Sequence, residues 1–157
     1  MHALNYKLDK SILEADGRYL DSQELYPLES YIQSYEIRLN TYKHLQDHGE
    51  KLVILALRKL AQLYPELIQQ HGSRCKYDMT EVLRYIALSI LRDDELLFKE
   101  KMLAWLDTIL LAHKRNDHCR HAYQNLQEAI AANFVAAETR LIRPYLELTL
   151  HALESHA

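Results

Sequence analysis

SRCKYDMTEVLRYIALSILRDD, residues 73–94, carries the pattern on which the fold turns. Apolar residues recur at Met79, Val82, Leu83, Ile86 and Ile90, the i, i+3, i+4, i+7, i+11 spacing of an amphipathic helix, so a helix is expected over 79–92. Ahead of it PELIQQHGSRCKYD, residues 65–78, reads as the longest irregular connection. That places Cys75 in a polar loop just before the helix, with Asp78 one turn later. A thiol there feels the positive end of the helix and is a candidate covalent anchor. The same two residues read equally as a loop thiol and a helix N-cap.

Outward from this stretch, one helical pattern follows another. Residues 4–15 form a short helix with Gly17 close behind as a stop. Asp21 or Ser22 caps the next helix, with Glu24 three residues after Asp21 as in a capping box. Leu25, Leu28, Ile32, Tyr35, Leu39 and Tyr42 then form one stripe over about 20 residues, with Pro27 near its start as a kink candidate. Gly49 marks a break before a helix at 51–64, whose LVILAL run is apolar on nearly every side and should lie deep in the core. Pro65 ends it. Further helices are expected at about 94–113, 117–136 and 138–154, with a polar loop KRND between the first two and an interruption at Pro144. No strand pattern competes.

The expectation is one all-α domain over 1–157, globin-like in preference to an up-and-down bundle, with seven or eight helices. About 1–20 would form an N-terminal helical pair and 21–157 the core. A chain of 157 residues is long enough to bury a substantial core. Three Gly and three Pro leave little punctuation for an all-β fold. A net charge of −3 gives no electrostatic case for nucleic acid or an anionic membrane. Two cysteines make no disulfide framework. MHALNYKLDK has no apolar signal core, and the longest apolar run, Leu52 to Leu57, is too short for a transmembrane segment. A cytoplasmic protein is expected.

Two motifs resemble the phycobiliproteins, the bilin-carrying globins of photosynthetic antennae. Near the start, ADGRYLDSQEL (residues 15–25) followed by RLN at Arg38 to Asn40 looks like that family's opening segment. In the middle, Cys75, Asp78 and LRY at Leu83 to Tyr85 keep its spacing, and the helix ends in an acidic turn at Asp93–Asp94. The likeness implies a globin fold preceded by a short helical pair. It would make Cys75 the thioether ligand of a linear tetrapyrrole and Asp78 the carboxylate facing the inner pyrrole nitrogens. Where the family has an arginine that pairs with a bilin propionate, this chain has Tyr77. Where it has ring-contacting residues, Glu81 and Val82 stand, and the loop before the cysteine is shorter. The resemblance also implies an intersubunit contact between Asp16 and Arg84. One chain carrying both can pair with its own copy, so a homodimer is expected. The apolar face of the N-terminal pair (Leu4, Leu8, Ile12, Leu13) would need cover. Locally, Asp16 reads as a turn cap and Arg84 as one half of an internal ion pair.

Other constellations are weaker. His44 and His48 stand one turn apart, and DHCRH at 117–121 offers His118, Cys119 and His121, but nothing joins the two groups into a four-ligand metal site. Solvated imidazoles are the simpler account, and no metal is expected. His113, at the polar end of its helix, is a proximal haem candidate. Tyr31, Tyr35 and Tyr42 sit on or beside a helix stripe as core-edge residues. No Ser-His-Asp order, glycine-rich phosphate loop or paired carboxylates occur, so no enzyme activity is expected.

Three functions fit. The first is a non-catalytic accessory globin of the bilin pathway, resembling the bilin biosynthesis-associated globins. It would bind or scaffold, hold tetrapyrrole transiently, and meet biosynthetic enzymes or phycobiliproteins. The second is a light-harvesting subunit with bilin on Cys75. The third is a tetrapyrrole-free interaction or sensor module. Tyr77, Glu81 and Val82 favour the first.

Overall fold

The computed structural model describes residues 5–113 and 116–155, and their side chains other than those of 110–113 and 116. Helices succeed one another as α1 (Tyr6–Glu14), α2 (Ser22–Gln33), α3 (Tyr35–Leu63), α4 (Pro65–Arg92), a one-turn α5 (Glu95–Leu97), a π-helical segment (Phe98–Leu103), α6 (Ala104–His113), α7 (Asn116–Asn133) and α8 (Ala136–Ser155). α5, the π segment and α6 run on without interruption, so the described residues form seven helical bodies and no strand. The all-α, globin-like expectation holds.

The core is built on an antiparallel hairpin. α3 and α4 meet at the single residue Tyr64, and Pro65 occupies the first turn of α4, where its missing N–H costs nothing. Leu45, Leu52, Val53, Ala56, Leu57 and Leu60 of α3 face Met79, Val82, Leu83, Ile86, Ala87 and Ile90 of α4 within one core cluster. α7 adds Ala122, Tyr123, Leu126 and Ile130, and α8 adds Ile142, Tyr145, Leu146 and Leu153. Each fully buried Leu, Ile or Val side chain contributes about 1.5–3 kcal/mol. The Met79–Ile90 stripe is therefore buried as its period requires.

Local signals act at the helix ends. Asn5 Oδ1 accepts from the Leu8 amide at 3.0 Å, and Asn5 Nδ2 donates to the Arg92 carbonyl at 3.3 Å, tying α1 to the end of α4. The capping box at α2 is present: Asp21 Oδ1 accepts from the Gln23 and Glu24 amides at 2.9 Å, and the Asp21 amide donates to Glu24 Oε2 at 2.9 Å. α4 ends on Asp93 in the left-handed region (φ 53°), with the Asp94 amide returning to the Ser89 carbonyl at 2.9 Å.

Several expected boundaries move. Residues 65–78 are not a connection; α4 begins at Pro65 and runs through Cys75, so this thiol lies inside a helix and not at its positive end. Asp78 is likewise no N-cap. Gly49 does not break α3, which is continuous from Tyr35 to Leu63; the break comes at Ser34, where α2 ends. The N-terminal pair is thus α1 with α2 and reaches Gln33. Pro27 sits within α2 without splitting it, and Pro144 does not interrupt α8. Pro144 and Arg140 are both exposed, so water can take the carbonyl that the missing N–H leaves unserved. The LVILAL run is not buried all round, since Leu55 is 46% exposed. Leu4 and, of the expected KRND loop, residues 114 and 115 lie outside the described residues, while 116 and 117 already belong to α7.

Candidate functional site

The continuation of α4 toward its N-terminus carries the site. Cys75 and Asp78 are three residues apart and so share a helix face, with Met79 beside them and Leu67 two turns earlier. Against this face α7 presents His118, Cys119, Ala122 and Tyr123, positions i, i+1, i+4 and i+5 of one stripe. Leu60 of α3 and Leu106 and Ile109 of α6 complete a cavity of about 70 Å3 that all of these residues line. Its wall is mostly apolar, broken by two thiols, one carboxylate, one imidazole and one phenol. The sequence-expected pair, Cys75 and Asp78, does converge.

Each polar group has a distinct setting. Asp78 accepts from Arg74 Nε at 3.2 Å through both carboxylate oxygens. Cys75 and Cys119 are both half-buried, and neither forms a disulfide. Tyr123 is 3% exposed, and its hydroxyl has no hydrogen-bond partner among the described residues. Burial, and then the charges that Cys119, Asp78 and Cys75 can carry, push its phenol well above the ordinary range. A second space, an open groove of about 550 Å3 over Tyr64, Gln70 and His71, shares Leu67 and His118 with the cavity. His118 therefore lines both spaces.

The remaining expected residues lie elsewhere. Tyr77 is 61% exposed and does not line the cavity. Arg84 is exposed and forks onto Glu81, with Nη2 to Oε2 at 2.6 Å and Nε to Oε1 at 3.1 Å, and its guanidinium lies 4.7 Å from the Tyr85 ring centroid. That hydrogen bond holds the Glu81 carboxyl below its usual range. Asp16 is exposed just beyond α1. Around it Ile12 (64%), Leu13 (74%) and Tyr19 (97%) are solvent-facing, whereas Leu8 is buried within the chain.

His44, His48 and His121 take structural partners. His44 Nδ1 lies 2.9 Å from Glu138 Oε2 and its ring stacks on Phe134 at 4.1 Å, while His48 meets it edge-on. His121 Nδ1 is 3.3 Å from the Tyr64 hydroxyl. Among the described residues no three His, Cys, Asp or Glu side chains converge as metal ligands. His113 ends α6, but its side chain lies outside those described. No helix among the described residues is long and apolar enough to cross a membrane.

Sequence reasoning missed Tyr123 and the side of the cavity on which Cys119 lies. Cys119, Tyr123 and Leu126 do share the α7 stripe, yet nothing in one sequence says that this stripe faces Cys75.

Comparison with known proteins supplies the context. The profile of a family described as "Phycobilisome protein" matches residues 11–153. The allophycocyanin alpha-B chain of Cyanidium caldarium is 37% identical over 98 residues, covering 56% of this chain and 60% of that protein. The allophycocyanin alpha chain of the same organism is 31% identical over 101 residues, covering 58% and 63%. Its allophycocyanin subunit beta-18 is 28% identical over 98 residues, covering 57% and 58%. The chain thus spans about three fifths of the length of the curated relatives it matches.

Proposed function

This chain belongs to the phycobilisome protein family, and on that premise we propose that it is a non-catalytic accessory globin of the bilin pathway, meeting a linear tetrapyrrole transiently in the cytoplasm. The observation that carries this reading is one of size. Cys75 and Asp78 face about 70 Å3, whereas pockets that bury drug-sized ligands measure about 300–1,000 Å3. The roomier space beside them, over Tyr64 and His71, is an open groove. A tetrapyrrole lying there keeps one face in water and gains few enclosing contacts. Exposed Tyr77 supplies no cation for a propionate.

The partner in assembly is proposed to be a second copy of this chain, through Asp16 of one copy and Arg84 of the other. The exposed Ile12, Leu13 and Tyr19 around Asp16 give that contact an apolar component. Bilin-pathway enzymes or phycobiliproteins are the further partners of this reading.

A second reading, a light-harvesting subunit with bilin on Cys75, is favoured by the convergence of Cys75 and Asp78 on one cavity and by the likeness to allophycocyanin chains. Co-expression with a bilin source separates the two. The accessory reading expects no zinc-induced fluorescence from the denatured band. A fluorescent band that disappears in Cys75→Ala overturns it in favour of the antenna role.

A further inference from the structure

We propose that His44 and His48, one turn apart on α3, form a two-imidazole site for a single exchangeable divalent transition-metal ion, with Glu138 of α8 as the positioning residue behind His44. This is a different kind of site from the closed four-ligand centre that the sequence argues against. None of its residues lines the cavity beside Cys75.

Spacing is the first observation. Residues four apart on a helix set their Cβ atoms about 5–6 Å apart on one face, and the two ring centroids here are 4.9 Å apart. A metal–nitrogen bond of about 2.1 Å puts a ligating ring's centroid about 3.2 Å from the ion. Two imidazoles at about 90–109° on one ion therefore have centroids about 4.5–5.2 Å apart. The observed separation falls inside that interval. The rings stand at 79° to one another, and His48 is exposed, so a rotation about its own side-chain bonds aims its nitrogen at the ion.

The second observation is what holds His44. Its Nδ1 lies 2.9 Å from Glu138 Oε2, on a side chain only 9% exposed, and Phe134 stacks on the ring with the planes 5° apart. With the Nδ1–H donating to the carboxylate, the free electron pair is on Nε2. That atom has no hydrogen-bond partner among the described residues, yet it is not one of the buried atoms left without one, so it opens to solvent. A carboxylate on the far ring nitrogen is the common support of a metal-bound histidine: it fixes the tautomer, aims the ring and strengthens the donor.

The donor set narrows the ion. Imidazole suits Zn2+, Cu2+ and Ni2+, whereas Mg2+ and Ca2+ take oxygen ligands. Among the described residues no three His, Cys, Asp or Glu side chains converge as ligands, so water fills the remaining positions and the ion exchanges.

The test uses the full folded chain and Ni2+ alone at neutral pH, followed by histidine ring NMR and calorimetry. Paramagnetic Ni2+ should broaden the His44 and His48 ring signals at substoichiometric metal, ahead of those of the other histidines. Losing one imidazole turns a chelate into a single donor, so His48→Ala should weaken binding about tenfold or more. Glu138→Gln keeps both ligands and should still weaken binding about tenfold. Because His48 is exposed, His48→Ala should melt like wild type without metal, which keeps the proposal decidable even if Glu138→Gln folds poorly. Broadening of the other histidines first or equally, a His48→Ala protein that binds Ni2+ as tightly as wild type, or a folded Glu138→Gln protein with unchanged affinity would each overturn it.

Discussion

Arg38, 1% exposed, donates from its guanidinium to the main-chain carbonyl of Leu91. The same side chain reaches the Tyr31 carbonyl at 2.6 Å and lies over the Tyr31 ring, 4.1 Å from its centroid. One buried cation thus joins the last turn of α2 to the last turn of α4. It occupies carbonyls that a helix end leaves without intrahelical donors, and it places positive charge where the α4 dipole is negative.

Arg38→Leu should therefore destabilise the fold by about 3 kcal/mol, because it leaves half-buried carbonyls at two helix ends without their donor and removes a buried cation from between them. Arg38→Lys should recover less than half of this, since an ammonium cannot span the fork of acceptors. Urea unfolding of the three proteins measures both; a leucine variant as stable as wild type would show that the buried cation is dispensable.

Gly49 gives a prediction of opposite sign. It lies within continuous α3, and a Cβ built there meets only Leu83 Cδ1 at 3.6 Å, an ordinary contact. Gly49→Ala should stabilise the protein by about 0.5–1 kcal/mol through helix propensity and reduced freedom of the unfolded chain. A lowered urea midpoint would mean that the close packing of α3 on α4 needs the glycine.

Glu24 supplies a pH signature. The hydrogen bond from Arg18, and then that from the Asp21 amide, lower its carboxyl to about 2. A folded value below the unfolded one means that its contribution is complete above about pH 4.3 and fades as pH falls toward 2. A carboxyl NMR titration should find Glu24 ionised through pH 3, and Arg18→Ala should raise its midpoint toward the ordinary range. An unchanged midpoint in Arg18→Ala would discard the fork in solution.

The proposed homodimer rests on opposite charges meeting between copies, so charge reversal is its check. Light scattering should report a dimer for wild type, a monomer for Arg84→Glu, and recovery of the dimer when Asp16→Arg is added. A monomeric wild type, or a dimer indifferent to Arg84→Glu, counts against this contact.

What could be read from the chain followed from short-range periodicity. The Met79–Ile90 stripe is buried because a 3.6-residue repeat puts those positions on one face whatever lies opposite. The capping box at Asp21 and Glu24 formed because all its partners lie within three residues. Punctuation misled. Gly49 and Pro144 look like breaks, yet Gly49 lies buried within continuous α3 and Pro144 loses one hydrogen bond on an exposed side; Pro65 does close the preceding helix, but it also opens α4. Residues 65–78 looked irregular because the stripe of α4 continues there with His71, Cys75 and Asp78 in place of aliphatic residues.

The residue order alone thus determined an all-helical chain, the Met79–Ile90 stripe on one helix face, and the motifs shared with the phycobilisome protein family. Only the packing of α7 against α4 decided that Cys119 and Tyr123 face Cys75 and Asp78, and that the space between them is about 70 Å3. Helix faces follow from local hydrogen-bond geometry, whereas the meeting of residues far apart in sequence, and the volume left between them, depend on how every side chain of the core fills its neighbours' gaps.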